Sequence, residues 1–497
     1  MKLKAGLVFL ISVCSSCAVF AQQTYPPKTS QVQVQVGTYL STSNYMPFWF
    51  RANQFGTVPL KTPVATVRVG AWSDYARPLR DSGQSRPKKV DWGYGVEAVV
   101  NAGNVNQVIF PEAYVKGRFH FIELYAGRRR TVQGLVDTTL TSGSYAWSGN
   151  AVPIPVVQLG TPGFVSIPFT NDLVAVNAFY NHGWFGNDRI VKGSYLHQKA
   201  LYGRLGRPQG RLKLYAGINH QVQWAGYSNA IAGDLTQNGR LPSSLKSYWF
   251  MVTARRNPTR YDSTLASFEE NRVGNHLGSF DLALEAKLGS FNLLMYRQSV
   301  YDDGSLFYLT NIRDGLQGLR LRNERSEKAF FAIDEALFEF LYTKSQGGSD
   351  FVISNAAKRG LDNYFNHSQY IDGWVYESRT IGTPFLTPGT EVRRRLPKGA
   401  IANNRVRLFH FALSGSLGKI NWLGKLSYSD NDGTYDNPFP ANTYQLSTYF
   451  GLTAPVRLSP LGDFQLNAAF ASDYGRLFYH SAGVFLGLKK TIASQPH

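Results

Sequence analysis

Hydrophobic and polar positions along this chain alternate with a period of two. The run Gln31-Val32-Gln33-Val34-Gln35-Val36 does so without exception. Leu212, Leu214, Ala216 and Ile218 share one face against Lys213, Tyr215 and Asn219. Phe280, Leu282, Leu284, Ala286 and Leu288 oppose Asp281, Ala283, Glu285 and Lys287, and Phe464, Leu466 and Ala468 are separated by Gln465 and Asn467. Successive strand side chains point to opposite faces, so each segment reads as a strand with one apolar and one polar side. A soluble sandwich buries the apolar side against a second sheet, whereas a membrane barrel turns it to lipid and keeps the polar side for the lumen.

The pattern places strands at 31–40, 63–75, 90–103, 107–118, 120–130, 173–185, 195–206, 211–226, 245–257, 276–288, 290–301, 315–325, 329–343, 405–417, 420–430, 443–456, 464–474 and 481–492. That is about 18, an even number in the range of single-chain outer-membrane barrels. Their lengths suit tilted crossing of a hydrocarbon layer better than the shorter strands of soluble sheets. Tyr39, Trp72, Tyr75, Phe185, Trp224, Tyr248, Trp249, Tyr428 and Tyr474 stand near strand ends, as interfacial girdles require, although aromatics favour strands in any case. Turns are short at Gly117–His120 and Leu288–Phe291 and long at 41–62, 131–172, 227–244 and 344–404. The expectation is an all-β closed antiparallel outer-membrane barrel over 22–497, with loops 131–172 and 344–404 over or in one mouth.

Residues 1–21 read as a secretory signal, with Lys2 and Lys4, an apolar run Ala5–Val13 and Val19-Phe20-Ala21 before the cut. That run is too short to span a bilayer as a helix, and no later stretch is long and apolar enough. Cys14 and Cys17, the two cysteines of the chain, both lie within it. Lipidation of Cys17 is an alternative, with Cys14 standing where leucine is usual. The expected location is the outer membrane of a Gram-negative bacterium.

Composition adds a charge argument. The chain has 47 glycines, 14% aromatic and 17% charged residues, and a formal charge of +19. Such a balance favours acidic partners: nucleic acid, which export disfavours, lipid and lipopolysaccharide phosphates, or acidic sugars. The stretch Arg77 to Lys89 concentrates the basic charge. No H-E-x-x-H, G-x-S-x-G or P-loop occurs, and of the nine histidines only His182 and His197 sit near acidic or amide neighbours. Asp430-Asn431-Asp432-Gly433 lacks the downstream glutamate of a calcium loop. No enzyme, cofactor or metal site is expected.

The candidate chemistry lies in two stretches. Strand 122–127 runs into Arg128, Arg129 and Arg130, then into a Gly/Ser/Asn-rich segment with Tyr145, Trp147 and Asn150. Segment 362–385 carries Asn363, Tyr364, Asn366, His367, Tyr370, Asp372, Trp374, Tyr376 and Arg379. Guanidinium forks hold acidic groups, amides bond hydroxyls and rings stack on sugar faces. Arg128, Arg129, Arg130, Trp147, Asn150, Trp374, Tyr376 and Arg379 are therefore candidates for one polysaccharide-binding surface. Alternation lets Arg128 and Arg130 point inward while Arg129 points away. The plainer alternative is that both stretches fold back and fill the barrel.

Four blocks resemble the Wzi capsule-assembly family. They are Ala126-Gly127-Arg128 through Gly134, Ser142-Gly143, Ser148-Gly149-Asn150-Ala151 and Pro153-Ile154-Pro155; Asn44-Tyr45-Met46-Pro47-Phe48-Trp49 with Asn53-Gln54-Phe55-Gly56; Tyr195-Leu196-His197-Gln198-Lys199-Ala200-Leu201-Tyr202; and Tyr370-Ile371-Asp372-Gly373-Trp374-Val375-Tyr376 with Ile381-Gly382-Thr383-Pro384. The resemblance implies an outer-membrane β-barrel surface lectin that retains capsular or extracellular polysaccharide at the cell surface. Two other readings stand beside it: a porin for anionic glycans, and an outer-membrane hydrolase, for which the residues offer no clear cluster.

Overall fold

The computed structural model describes residues 30–76, 89–231, 235–255, 272–302, 305–325, 329–352 and 360–493. The signal segment 1–21, both cysteines and nearly all of the basic stretch 77–89 lie outside them. The main sheet is antiparallel and closes on itself, because Ser30–Ser41 pairs with both Val64–Ser73 and Ser481–Ala493. Its strands number 19, but Val156–Gly160 and Val165–Ser166 both lie on Val174–Trp184 and fill one position of the wall. The barrel thus has 18 positions. Closure leaves no unpaired edge for the bilayer to desolvate.

The faces follow the alternation. Phe280 and Leu282 are 46% and 62% exposed on the outside, whereas Asp281 between them is 1% exposed and faces in. Val32, Val34 and Val36 point outward against Gln33 and Gln35. Trp92, Phe119, Phe121 and Phe331 are exposed toward the mouth that holds both chain ends, and Trp184, Tyr428 and Tyr474 toward the other. These are the aromatic girdles. Tyr39, Phe185 and Trp224, expected among them, are buried instead.

Short turns, such as Gly289-Ser290 between Leu288 and Phe291, gather at the mouth with the chain ends. The long connections 42–63, 129–155, 225–274 and 343–405 gather at the opposite one. In outer-membrane barrels the short turns are periplasmic and the long loops external.

Two differences from the alternation pattern cancel in the strand count. Segment 245–257 contains a helix, Leu245–Thr253, whose first turn is capped by Ser244 accepting from the Ser247 N–H and whose end is Ala254 at φ 53°. The helix lies against outward-facing wall residues: the Lys199 ammonium donates to the Val252 carbonyl, and the Tyr180 and Tyr248 hydroxyls meet. Met251 is buried beneath it, and Leu245 and Trp249 remain exposed. The polar outer-wall residues His220 and His276, in contact with each other, are likewise buried. Conversely, 156–166 is wall, not loop. Val157 and Leu159 face out and Gln158 in, but the break at 161–164 hides the pattern.

Candidate functional site

The described residues of the long loops, 42–63, 129–155, 343–352 and 360–405, enter the barrel and pack on one another. Trp374, Tyr145, Tyr364 and Phe365 are among the largest fully buried side chains. Tyr145 rests against Phe365 with ring centroids 4.9 Å apart. Backbone bonds tie the loops together: Phe55 N–H to the Gly149 carbonyl at 2.7 Å, Gly56 N–H to Asn150 at 3.0 Å and Ser148 N–H to Ile381 at 3.1 Å. Gly149 at φ 80° faces the Phe55 ring so closely that a Cβ would come within 2.7 Å of it.

Loop backbone buried inside a barrel must find partners there. Polar groups of the inner wall supply them. Glu339 accepts from the Ser142 N–H at 2.6 Å and the Thr141 hydroxyl at 2.7 Å. Asp281 accepts from the Leu135 N–H at 2.8 Å and Gln298 from the Tyr145 N–H at 2.9 Å. Asp473 accepts from the Phe48 N–H at 2.8 Å. Of these wall residues only Asp281 is named from the sequence, as a member of a polar face and not as a partner of the loops. The one signal available was that inward positions of the alternation carried carboxylates and amides.

The eight candidate residues converge in this plug. Arg128 donates to the Tyr376 hydroxyl at 2.9 Å. Trp147 and Trp374 meet edge to face at 6.5 Å, and the Trp374 indole donates to the Ala146 carbonyl at 2.9 Å. Asn150 donates to the Thr380 carbonyl at 3.0 Å. Arg379 bonds Glu391 at 3.0 Å and the Val58 carbonyl at 2.9 Å. Arg129 pairs with Glu123 at 2.7 Å, and Arg130 with Glu97. Arg129 therefore faces in, not away as expected: Glu123 and Tyr125 are the buried inward positions of this strand, and Arg129 continues their face. Arg128 and Arg130 are the ones that leave the alternation. The strand ends at Arg128, and Gly127 at φ 121° turns the chain just before it.

Their polar groups are largely taken by protein partners. Trp147, Asn150, Trp374, Tyr376 and Arg379 are buried, and the three arginines of the run are half-buried. Glu391 also binds Arg51. Burial pushes the Glu391 carboxyl up, but the two guanidiniums outweigh it and hold it below the usual carboxylate range. Burial lowers Arg379 against the opposing pull of Glu391.

Two hollows flank the segment Met46–Arg51. One, of about 340 Å³, opens among the long loops and is lined by Tyr45, Arg51, Lys61, Arg394, Lys398 and Tyr479, with Glu391 and Asp473. The other, of about 300 Å³, lies deeper and is lined by Gln35, Arg68, Asn421, Thr453 and Asn467. An apolar cluster of Tyr39, Met46, Phe50, Val58, Val64, Ala471 and Phe485 borders both, with Met46 on the first and Tyr39, Phe50 and Phe485 on the second.

No family model and no curated protein matches the chain. Solved barrels do. Pseudomonas aeruginosa OccK5 (OpdH) is 8% identical over 94% of this chain and 99% of its own, with a TM-score of 0.43. The anion-selective porin of Comamonas acidovorans is 10% identical over 94% and 98%, at 0.36. P. aeruginosa OpdO is 10% identical over 94% and 98%, at 0.45. The assignment to the Wzi family is thereby corrected: no family model matches the chain, and of the solved barrels named above one is an anion-selective porin and none a capsule-assembly protein. Three of those blocks are plug, and the fourth, Tyr195–Tyr202, is wall. What this chain shares with the porins is the fold, an outer-membrane β-barrel of 18 strands.

Proposed function

We propose that this barrel is a constricted channel for anionic solutes, with acidic glycan fragments as the substrate class. The observation that carries it is the pair of hollows on either side of Met46–Arg51, one at the outer mouth and one in the lumen. The outer one presents Lys61 and Arg394 and the inner one Arg68, and the chain as a whole carries +19. Lumen cations select by charge, and a narrow apolar gap between polar hollows sets a low rate. A cleaved export signal at 1–21 belongs to the same proposal. Efflux from loaded proteoliposomes tests it: a small galacturonate oligomer should leave faster than a neutral oligosaccharide of equal length. Equal, background-level efflux of both would overturn it.

A second reading has one observation in its favour, the density of the plug. In it the barrel retains an acidic extracellular polysaccharide at its outer mouth and transports nothing. Absence of any current through folded, inserted protein would select that reading.

A further inference from the structure

Lys61 sits on the face of Tyr45, its ammonium 3.6 Å from the ring centroid. The other face of Tyr45 stacks on Tyr479, with centroids 4.1 Å apart and planes 13° from parallel. Two loops that are distant in sequence, 42–63 and 476–480, thus fix one cation at the wall of the outer hollow. Among the described residues no carboxylate pairs with Lys61 or with the exposed Arg394. The hollow is lined by four cationic side chains and two carboxylates. Both carboxylates are already engaged, Glu391 by Arg51 and Arg379, and Asp473 by the Phe48 N–H and the Ser447 hydroxyl. The charge left to act on a ligand is positive.

The Tyr479 hydroxyl, which lines the hollow, accepts from the Arg394 N–H at 3.0 Å. That bond holds the phenol below its ordinary range. A bare anion needs far less than about 340 Å³, whereas this volume lies at the lower end of small-ligand sites. Tyr45, Phe478 and Tyr479 give it aromatic walls.

We propose that this hollow is a docking site for the anionic group of an acidic sugar, carboxylate or phosphate. Lys61 and Arg394 hold the charge, Tyr479 donates to it, and the aromatic edges border the sugar ring. The proposal deepens the channel reading by placing substrate capture at the outer mouth, and it rests on that reading for its role in transport. The group at this mouth is drawn from outside the cell, where charged surface glycans and phosphorylated lipid headgroups both occur.

The test is binding to the full chain in detergent, read by calorimetry, with trigalacturonate, glucose 6-phosphate and neutral maltotriose as probes. Trigalacturonate should bind and maltotriose should not; binding of glucose 6-phosphate alone would assign the site to phosphate. K61A combined with R394A should weaken binding at least about tenfold, the loss of charge-assisted bonds. R457A, on a highly exposed side chain at the opposite mouth, should leave it unchanged. Should the double variant fold poorly, R394E, on an exposed side chain, carries the same expectation. Parent-like binding by folded variants, or equal binding of maltotriose, overturns the proposal. Intact binding without membrane current would sink the channel and leave the site standing; current without binding would do the reverse.

Discussion

Glu391→Gln is the perturbation whose cost the structure defines best. The carboxylate lies between Arg51 and Arg379, with side-chain exposures of 2%, 5% and 6%. Removing one member of a buried ion pair leaves uncompensated charge and costs about 3–5 kcal/mol. Here two guanidiniums are left facing each other. At about 1.4 kcal/mol per tenfold, local opening of 379–391 should rise from roughly a hundredfold to a few thousandfold. Hydrogen exchange across that segment reads this directly, because the wall strands form a separate scaffold. The pH dependence has a definite sign. The folded-state carboxyl is held below its ordinary value, so the plug's stabilisation is present above the unfolded-state pKa and fades as pH falls through the lower, folded one. Acid should loosen the parent plug and have much less effect on E391Q. Replacing the ion triad by apolar residues (R51M, R379M and E391L together) should restore much of the protection. Parent-like exchange in E391Q at neutral pH would refute the reasoning.

Three further outcomes are expected. Leu282→Arg, on the lipid face, should cost about 2–4 kcal/mol in refolding into bilayers if it lies near the midplane, far more than the same change at an exposed loop position. Trp374→Ala leaves a cavity in the plug and should cost about 3–5 kcal/mol locally, seen as proteolysis within 363–385 while the barrel keeps its heat-modifiable gel mobility. Met251→Ala should cost about 2–5 kcal/mol of local stability and release helix Leu245–Thr253 from the outer wall, seen as faster cleavage there; unchanged cleavage would contradict the packing described.

The wall was legible because two solvents act on each strand. Val32, Val34, Leu282 and Asp281 could take only one arrangement once lipid and lumen were assigned. Leu245–Thr253 was not legible, because Tyr248, Trp249, Phe250 and Val252 favour strands locally, while the Ser244 cap, the burial of Met251 and the contacts with Lys199 and Tyr180 come from outside that pattern. The strand at 156–166 was obscured by its own interruption. In the plug, composition identified the residues that come together but not their partners. Arg379 answers to Glu391, a pairing set by loop paths that period-two reasoning does not reach. The expectation that Arg129 points away set the phase of its short strand one residue off, since Arg129 shares the inward face of Glu123. Lys61 and Tyr45 of one loop meet Tyr479 of another, and nothing in their spacing announces it.

Single-channel current in planar bilayers, comparing the parent with Phe50→Ala, tests the constriction most directly. Phe50 is 4% exposed within the apolar cluster that borders the two hollows, so trimming it should join them. A small, anion-selective conductance in the parent that rises several-fold in the variant is the expected result. No current from either protein, with both folded and inserted, would contradict the account.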